Sequence, residues 1–178
     1  METYTGKLIN PIKITSDDFV LEDIARSLSM ICRFNGHVEE FFSVANHCVN
    51  MANHFYKKKQ YLEAKYALFH ENDESVYGDI CTGTKYLDIL TPLRKLTKKA
   101  QAISYLKFGL DIKNQPKSVK ILDDKMKILE ARKIKPNSLL AKQVVDGKGI
   151  EVKVLSREDS EKQFLKLYYK IENKLKTY

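Results

Sequence analysis

Apolar positions along the chain fall into helical periods separated by short polar turns. Leu21, Ile24, Ala25 and Leu28 recur at three- and four-residue spacings and predict a helix over 20–30. Ser16 or Asp17 can cap it. Asn35-Gly36 marks a turn, after which Val44, Ala45, Cys48, Met51 and Ala52 lie along one side of a helix over 42–58. A third helix is expected over 61–72. Its Leu62, Tyr66, Ala67, Leu68 and Phe69 are apolar on most sides, which suits a central position. Residues 78–92 read as irregular, with a short helix around 85–89. Pro92 opens a helix ending near Phe108, with Gly109 as its stop. Another helix is expected over 118–132, closed by Pro136. Val144-Val145, then Asp146-Gly147-Lys148-Gly149, then apolar residues to Val154 read as a small β-hairpin over 144–154. Ser156-x-x-Asp159 resembles a capping box for a last helix to about Lys174. The expectation is a mostly α-helical single domain, 1–178, with a small C-terminal hairpin.

Composition changes this picture little. The 178 residues are 43% hydrophobic and 30% charged, ordinary for a globular protein able to bury a core. No run of apolar residues is long enough to cross a membrane, and the first seven residues lack the apolar stretch of a signal peptide. Cys32, Cys48 and Cys81 are odd in number and have no C-x-x-C spacing, so they read as free thiols in a reducing cytoplasm. The net charge of +8 favours polyanionic partners, yet lysine-rich helix faces are usually just solvated. Lys57-Lys58-Lys59 and Lys98-Lys99 need no ligand, and no basic and aromatic residues interleave as in a nucleic-acid motif. A nucleic-acid partner is not expected.

The candidate chemistry lies in His47, the pair His70-Glu71, Glu74, Asp79 and Asp123. Taken singly, each has an ordinary explanation as a packed histidine or a surface acid, and His37 and His54 keep that explanation. Together, two separated histidines, an adjacent acid and a distant aspartate can converge on one metal ion in a helical protein. Glu74 follows His70 by four residues, so on one continuous helix both would share a face. That would set a free carboxylate beside a metal ligand, ready to act on water.

These residues stand in ordered blocks: Glu22-Asp23-Ile24-Ala25-Arg26-Ser27-Leu28-Ser29; Arg33-Phe34-Asn35-Gly36-His37 with Phe42-Ser43-Val44-Ala45-Asn46-His47; Ala67-Leu68-Phe69-His70-Glu71-Asn72-Asp73-Glu74; Tyr77-Gly78-Asp79-Ile80 with Lys85; and Asp123-x-x-Met126-x-x-x-Glu130-Ala131-Arg132. As a set, from about Gly6 to Arg132, they resemble the HD-domain metal-dependent phosphohydrolases. The branch is the small bacterial and phage one of 5′-deoxynucleotidases and dNTP triphosphohydrolases. The resemblance implies a compact HD-domain helical bundle that cleaves a phosphate ester or anhydride of a (deoxy)nucleotide. His47, His70, Glu71 and Asp123 would ligate a divalent transition metal: Mn, Co, Fe, Ni or Zn, with Mg possible. Glu74 would act on the attacking water and Asp79 near the leaving oxygen. Arg33 and Lys85 would bind phosphate, and Phe34 would line the base or sugar pocket. The resemblance also implies assembly as a dimer or larger homo-oligomer and, being strongest to phage-borne members, a host cytoplasm. Two positions depart from the pattern. Glu71 stands where the family has Asp, and Gly83 where it usually has Pro. Glu71 motivates an alternative, an HD-fold nucleotide-binding protein with an altered or inactive metal site. Hydrolysis of another nucleotide signal is a further alternative; for guanosine tetraphosphate the matching pattern is broken at Ser75.

Overall fold

A computed structural model describes residues 1–177, apart from the side chain of Thr82. The helices are α1 (Leu21–Met30), α2 (Val44–Lys57), α3 (Tyr61–Phe69), α4 (Glu74–Tyr77), α5 (Thr82–Lys85), α6 (Thr91–Lys107), α7 (Lys117–Ile134) and α8 (Arg157–Leu175). Ser43 starts α2 because its hydroxyl accepts from the Asn46 N–H at 3.0 Å, a cap worth about 1 kcal/mol. Ser156 caps α8 in the same way, through the Asp159 N–H.

α2 is central. It packs against α3, α8 and α1 and touches α7, while α8 also covers α1 and α3. Every residue of α2 from Val44 to Ala52 is buried, so this helix has no solvated face along its first two turns. α3 is buried from Ala64 to Phe69, as its uniform apolarity requires. The Phe69 ring stacks on Phe108 at 4.4 Å and meets Phe164 and Tyr168 edge-on at 5.9 and 5.6 Å. Burying a ring of this size stabilises by about 1.5–3 kcal/mol, and here it anchors the residue just before His70.

The expected single helix over 61–72 is interrupted. α3 ends at Phe69, and 70–73 wind more tightly, with the N–H groups of Asn72, Glu74 and Ser75 each bonding three residues back. Side chains of α6 hold this break open. Gln101 donates to the Phe69 carbonyl at 2.8 Å and accepts from the Asp73 N–H at 3.1 Å. Asn72 donates to Ser104 at 2.7 Å.

The hairpin expected over 144–154 does not form. Among the described residues there is no strand, only isolated bridges pairing Glu2 with Leu8 and Cys32 with Ser43. The backbone of this segment finds its partners on α2 instead. The Lys153 carbonyl accepts from the Asn46 and Asn50 side chains, both at 2.9 Å, and those amides accept in turn from the N–H groups of Leu155 and Lys153. Two asparagines on one helix therefore do the work of a partner strand. No described helix is long and apolar enough to cross a membrane.

Candidate metal centre

α2 presents His47, the end of α3 presents His70, the following turn presents Glu71, and α7 presents Asp123. One ligand atom from each lies within 4.8 Å of the others, in a largely buried cluster that can hold a metal ion. His47 Nε2 is 3.1 Å from His70 Nε2 and 3.4 Å from Asp123 Oδ1, and His70 Nε2 is 3.4 Å from Glu71 Oε1. Ligands about 2.1 Å from a shared ion sit about 3.0 Å apart along an octahedral edge and about 3.4 Å apart along a tetrahedral one. These three separations fall in that interval, and the remaining pairs lie within 4.8 Å. Glu71, one methylene longer than aspartate, still brings its carboxylate into the group.

The outer atoms of the same side chains turn the lone pairs inward. His47 Nδ1 lies 2.6 Å from Glu130 Oε1, and His70 Nδ1 lies 2.8 Å from the Ala67 carbonyl. Both partners are acceptors, so both Nδ1 atoms donate and each Nε2 is left facing the cluster. Burial lowers the pKa of His70, against the pull of Glu71, which favours the neutral ring that a ligand must be. At His47, burial and Arg33 push the pKa down, but the hydrogen-bonded Glu130 and the nearby Asp123 carboxylate outweigh them, so it is raised. Asp123 is the acid most firmly held ionised. Burial opposes this, but the His47 contact, both histidines and Lys127 drive its pKa far below the carboxylate range. Lys120 and Lys127 bind its Oδ2 at 3.1 and 2.9 Å, leaving Oδ1 buried and without a hydrogen bond. An orphaned carboxylate oxygen beside two inward imidazole nitrogens is a donor set for a cation.

Arg33 lies in a tight turn, Arg33–Gly36, before α2. Its Nε is 3.3 Å from Glu130 Oε2, and both side chains are almost completely buried. Glu130 thus grips His47 with one oxygen and balances Arg33 with the other. Beside them Phe34 and Asn35 hold left-handed backbone, φ 55° and 51°, a conformation that costs a bulky residue free energy. The Phe34 ring lies near two cations, 5.5 Å from Arg33 and 4.9 Å from Lys135.

Glu74 reaches the site by a different route from the one its spacing implied. The 70–73 turn follows three residues per turn, which places Glu74 over Glu71 rather than over His70. Glu74 is buried with Oε2 unpaired; burial, then Glu71 and Asp79, raise its pKa well above the usual range. Asp79 is raised too, chiefly by burial, with Arg33 and Lys85 pulling the other way. Asp73, which carried no expectation, is buried beside them, and burial and Glu71 push its carboxyl up to about 7. Lys85, at the end of α5, sits close enough to act on both Asp73 and Asp79.

The four expected ligands therefore come together, and Glu74 and Asp79 feel their charge. Arg33 and Phe34 border the cluster through Glu130, a residue within a quoted block but without an assigned role. Its signal was available: Glu130 lies seven residues, about two turns, after Asp123, and so on the same face of α7.

No family model matches the chain. A stretch of 110 residues, 62% of this chain, is 37% identical to the "Uncharacterized protein YfdR" of Escherichia coli (strain K12), and the match spans 58% of that relative's length.

Proposed function

We propose that this protein is a metal-dependent phosphohydrolase of (deoxy)nucleotides, of the HD-domain type that its sequence blocks resemble. The observation that carries the reading is the convergence of His47, His70, Glu71 and Asp123 from separate segments onto one point. A divalent ion bound there, Mn, Co, Fe, Ni, Zn or Mg, supplies a Lewis acid for a phosphoryl oxygen and acidifies water.

The chain's own residues do the rest. Glu74 takes the proton of the water whose oxygen attacks phosphorus, a role suited to a carboxylate whose pKa burial and Glu71 have raised. Asp79, also raised, returns a proton to the oxygen that leaves as its bond to phosphorus breaks. Arg33 is compensated at Nε by Glu130, so its two terminal nitrogens are the ones left for a phosphoryl oxygen. Lys85 adds charge beside Asp73 and Asp79. Phe34 would line the pocket for a base or sugar, as the resemblance implies. Assembly into a dimer or larger ring belongs to the same reading.

The alternative, a nucleotide-binding protein with an inactive metal site, draws on Glu71 standing for aspartate. The Glu71 carboxylate, 3.4 Å from His70 Nε2, favours the enzyme. The deciding assay incubates the protein with all deoxy- and ribonucleoside mono-, di- and triphosphates, with Mn²⁺, Co²⁺ or Mg²⁺ and after chelation, and resolves the products by anion exchange. Metal-dependent loss of one substrate with an identified product is expected. Nucleotide binding without turnover under any metal would establish the alternative.

A further inference from the structure

A second cleft lies where the C-terminal half of α2 meets the 149–155 segment. It encloses about 270 Å³. Asn50, Asn53, His54 and Lys57 face it from α2 and Lys58 from the cap that follows, at the spacings of one helical stripe. Lys153 and Glu151 face it from the other wall, and Gln163 of α8 closes it. None of the four metal-cluster residues lines it.

Three properties of this cleft point to a ligand. Its wall is built: the Asn50 side chain clasps both backbone groups of Lys153, so the cleft is defined before anything enters. Its charge is positive, with three lysines against one glutamate. The field is felt by His54, whose pKa is lowered first by burial and then by Lys58, with Lys57 and Lys125 adding to it. Three of its donors are uncommitted. Glu151 engages Lys57 at 2.8 Å and Lys153 at 3.5 Å, while the side chains of Lys58, Asn53 and Gln163 make no hydrogen bond or ion pair among the described residues. The competing explanation is that lysines at a helix C-terminus simply answer its dipole. That accounts for Lys57 and Lys58, but not for Lys153, Asn53 and Gln163 facing the same space.

We propose that this cleft is a second ligand site, separate from the metal centre, and that it takes a small polyphosphate anion. Point-charge ammonium groups with amide donors between them suit phosphoryl oxygens. The cleft has Leu155 as its one aliphatic lining residue and no aromatic ring apart from the His54 imidazole, so it holds a phosphate chain and leaves any attached nucleoside outside.

The test is calorimetric titration of inorganic tripolyphosphate into protein stripped of metal and dialysed at low salt. Lys58→Glu is compared with Lys166→Glu, the same charge change at an exposed lysine of α8, and with Asp123→Asn. Folding is checked by circular dichroism. Loss of about tenfold or more in affinity for Lys58→Glu alone, with shifted His54 ring signals in the wild type, is expected. Asn53→Ala, neutral and exposed to the same cleft, should weaken binding in the same direction. A nucleoside triphosphate binding no tighter than tripolyphosphate identifies the phosphate chain as the ligand; one binding much tighter, and weakened by Lys58→Glu, would overturn the placement of the nucleoside outside the cleft. Equal losses in Lys58→Glu and Lys166→Glu, loss in Asp123→Asn alone, absence of binding, or tighter binding of an RNA oligonucleotide that both lysine variants weaken equally would each overturn the proposal.

Discussion

The Nε2 atoms of His47 and His70 face each other across 3.1 Å. With each ring donating its Nδ1 hydrogen elsewhere, two lone pairs point at one another, which is repulsive unless a proton or a metal ion lies between them. A bound ion that prefers the folded state should therefore raise the melting temperature of this protein in a concentration-dependent way. Asp123→Ala and His70→Ala should lose both the bound metal, counted by mass spectrometry of the dialysed protein, and that thermal response. An unchanged metal stoichiometry in either variant would remove the cluster as the metal site.

Glu74 lies outside the ligand set but within its field. Glu74→Ala should keep the metal and lose turnover by roughly 10²-fold or more. Metal content and kcat are the two readouts, and a fully active variant would exclude Glu74 as the base.

Glu71 brings its carboxylate into the cluster despite its extra methylene. Glu71→Asp should accordingly change metal affinity only modestly, by less than about tenfold, a second-order effect beside loss of a ligand. Competition with a metal-sensing dye measures it. Restoration of a metal that the wild type lacks would show instead that the Glu71 site is defective.

Glu130 joins the imidazole of His47 to the guanidinium of Arg33, all three buried. Glu130→Ala leaves an uncompensated buried cation and should cost about 3–5 kcal/mol in urea unfolding. Glu130→Gln keeps an acceptor for His47 and should fold, while metal affinity drops by about 10- to 100-fold. Metal affinity unchanged in Glu130→Gln would mean that Glu130 serves only to balance Arg33.

Gln101 is the residue on which the turn carrying His70 and Glu71 depends. Gln101→Ala leaves the Asp73 N–H without its partner and the Phe69 carbonyl with the Asn72 N–H alone, and should cost about 1–3 kcal/mol, with weaker metal binding. A variant as stable as the wild type would show that water replaces the amide without loss.

Helix positions were legible where one helix buries one pattern. α2 was visible from Val44 through Ala52, although its start was expected at Phe42, ahead of the Ser43 that caps it. The break after Phe69 was not legible locally, because the group that satisfies it, Gln101, comes from another helix. The 144–154 segment shows the same limit. Its turn residues and flanking apolar pairs are those of a hairpin, but side chains more than a hundred residues earlier claim its backbone. The four residues of the candidate metal cluster were legible as an ordered set of residue types. Glu130 was not assigned, although its spacing of seven residues from Asp123 sets it on the same face of α7.

Asn46 and His47 are neighbours on α2, and their side chains leave the helix about 100° apart. One clasps the chain at Lys153 and Leu155; the other enters the cluster. The helix is thus keyed in rotation from two sides, and the aim of the imidazole is inherited in part from a strap of backbone far downstream. A chain cut before Lys153 would retain all four ligands and lose the key that orients the first of them.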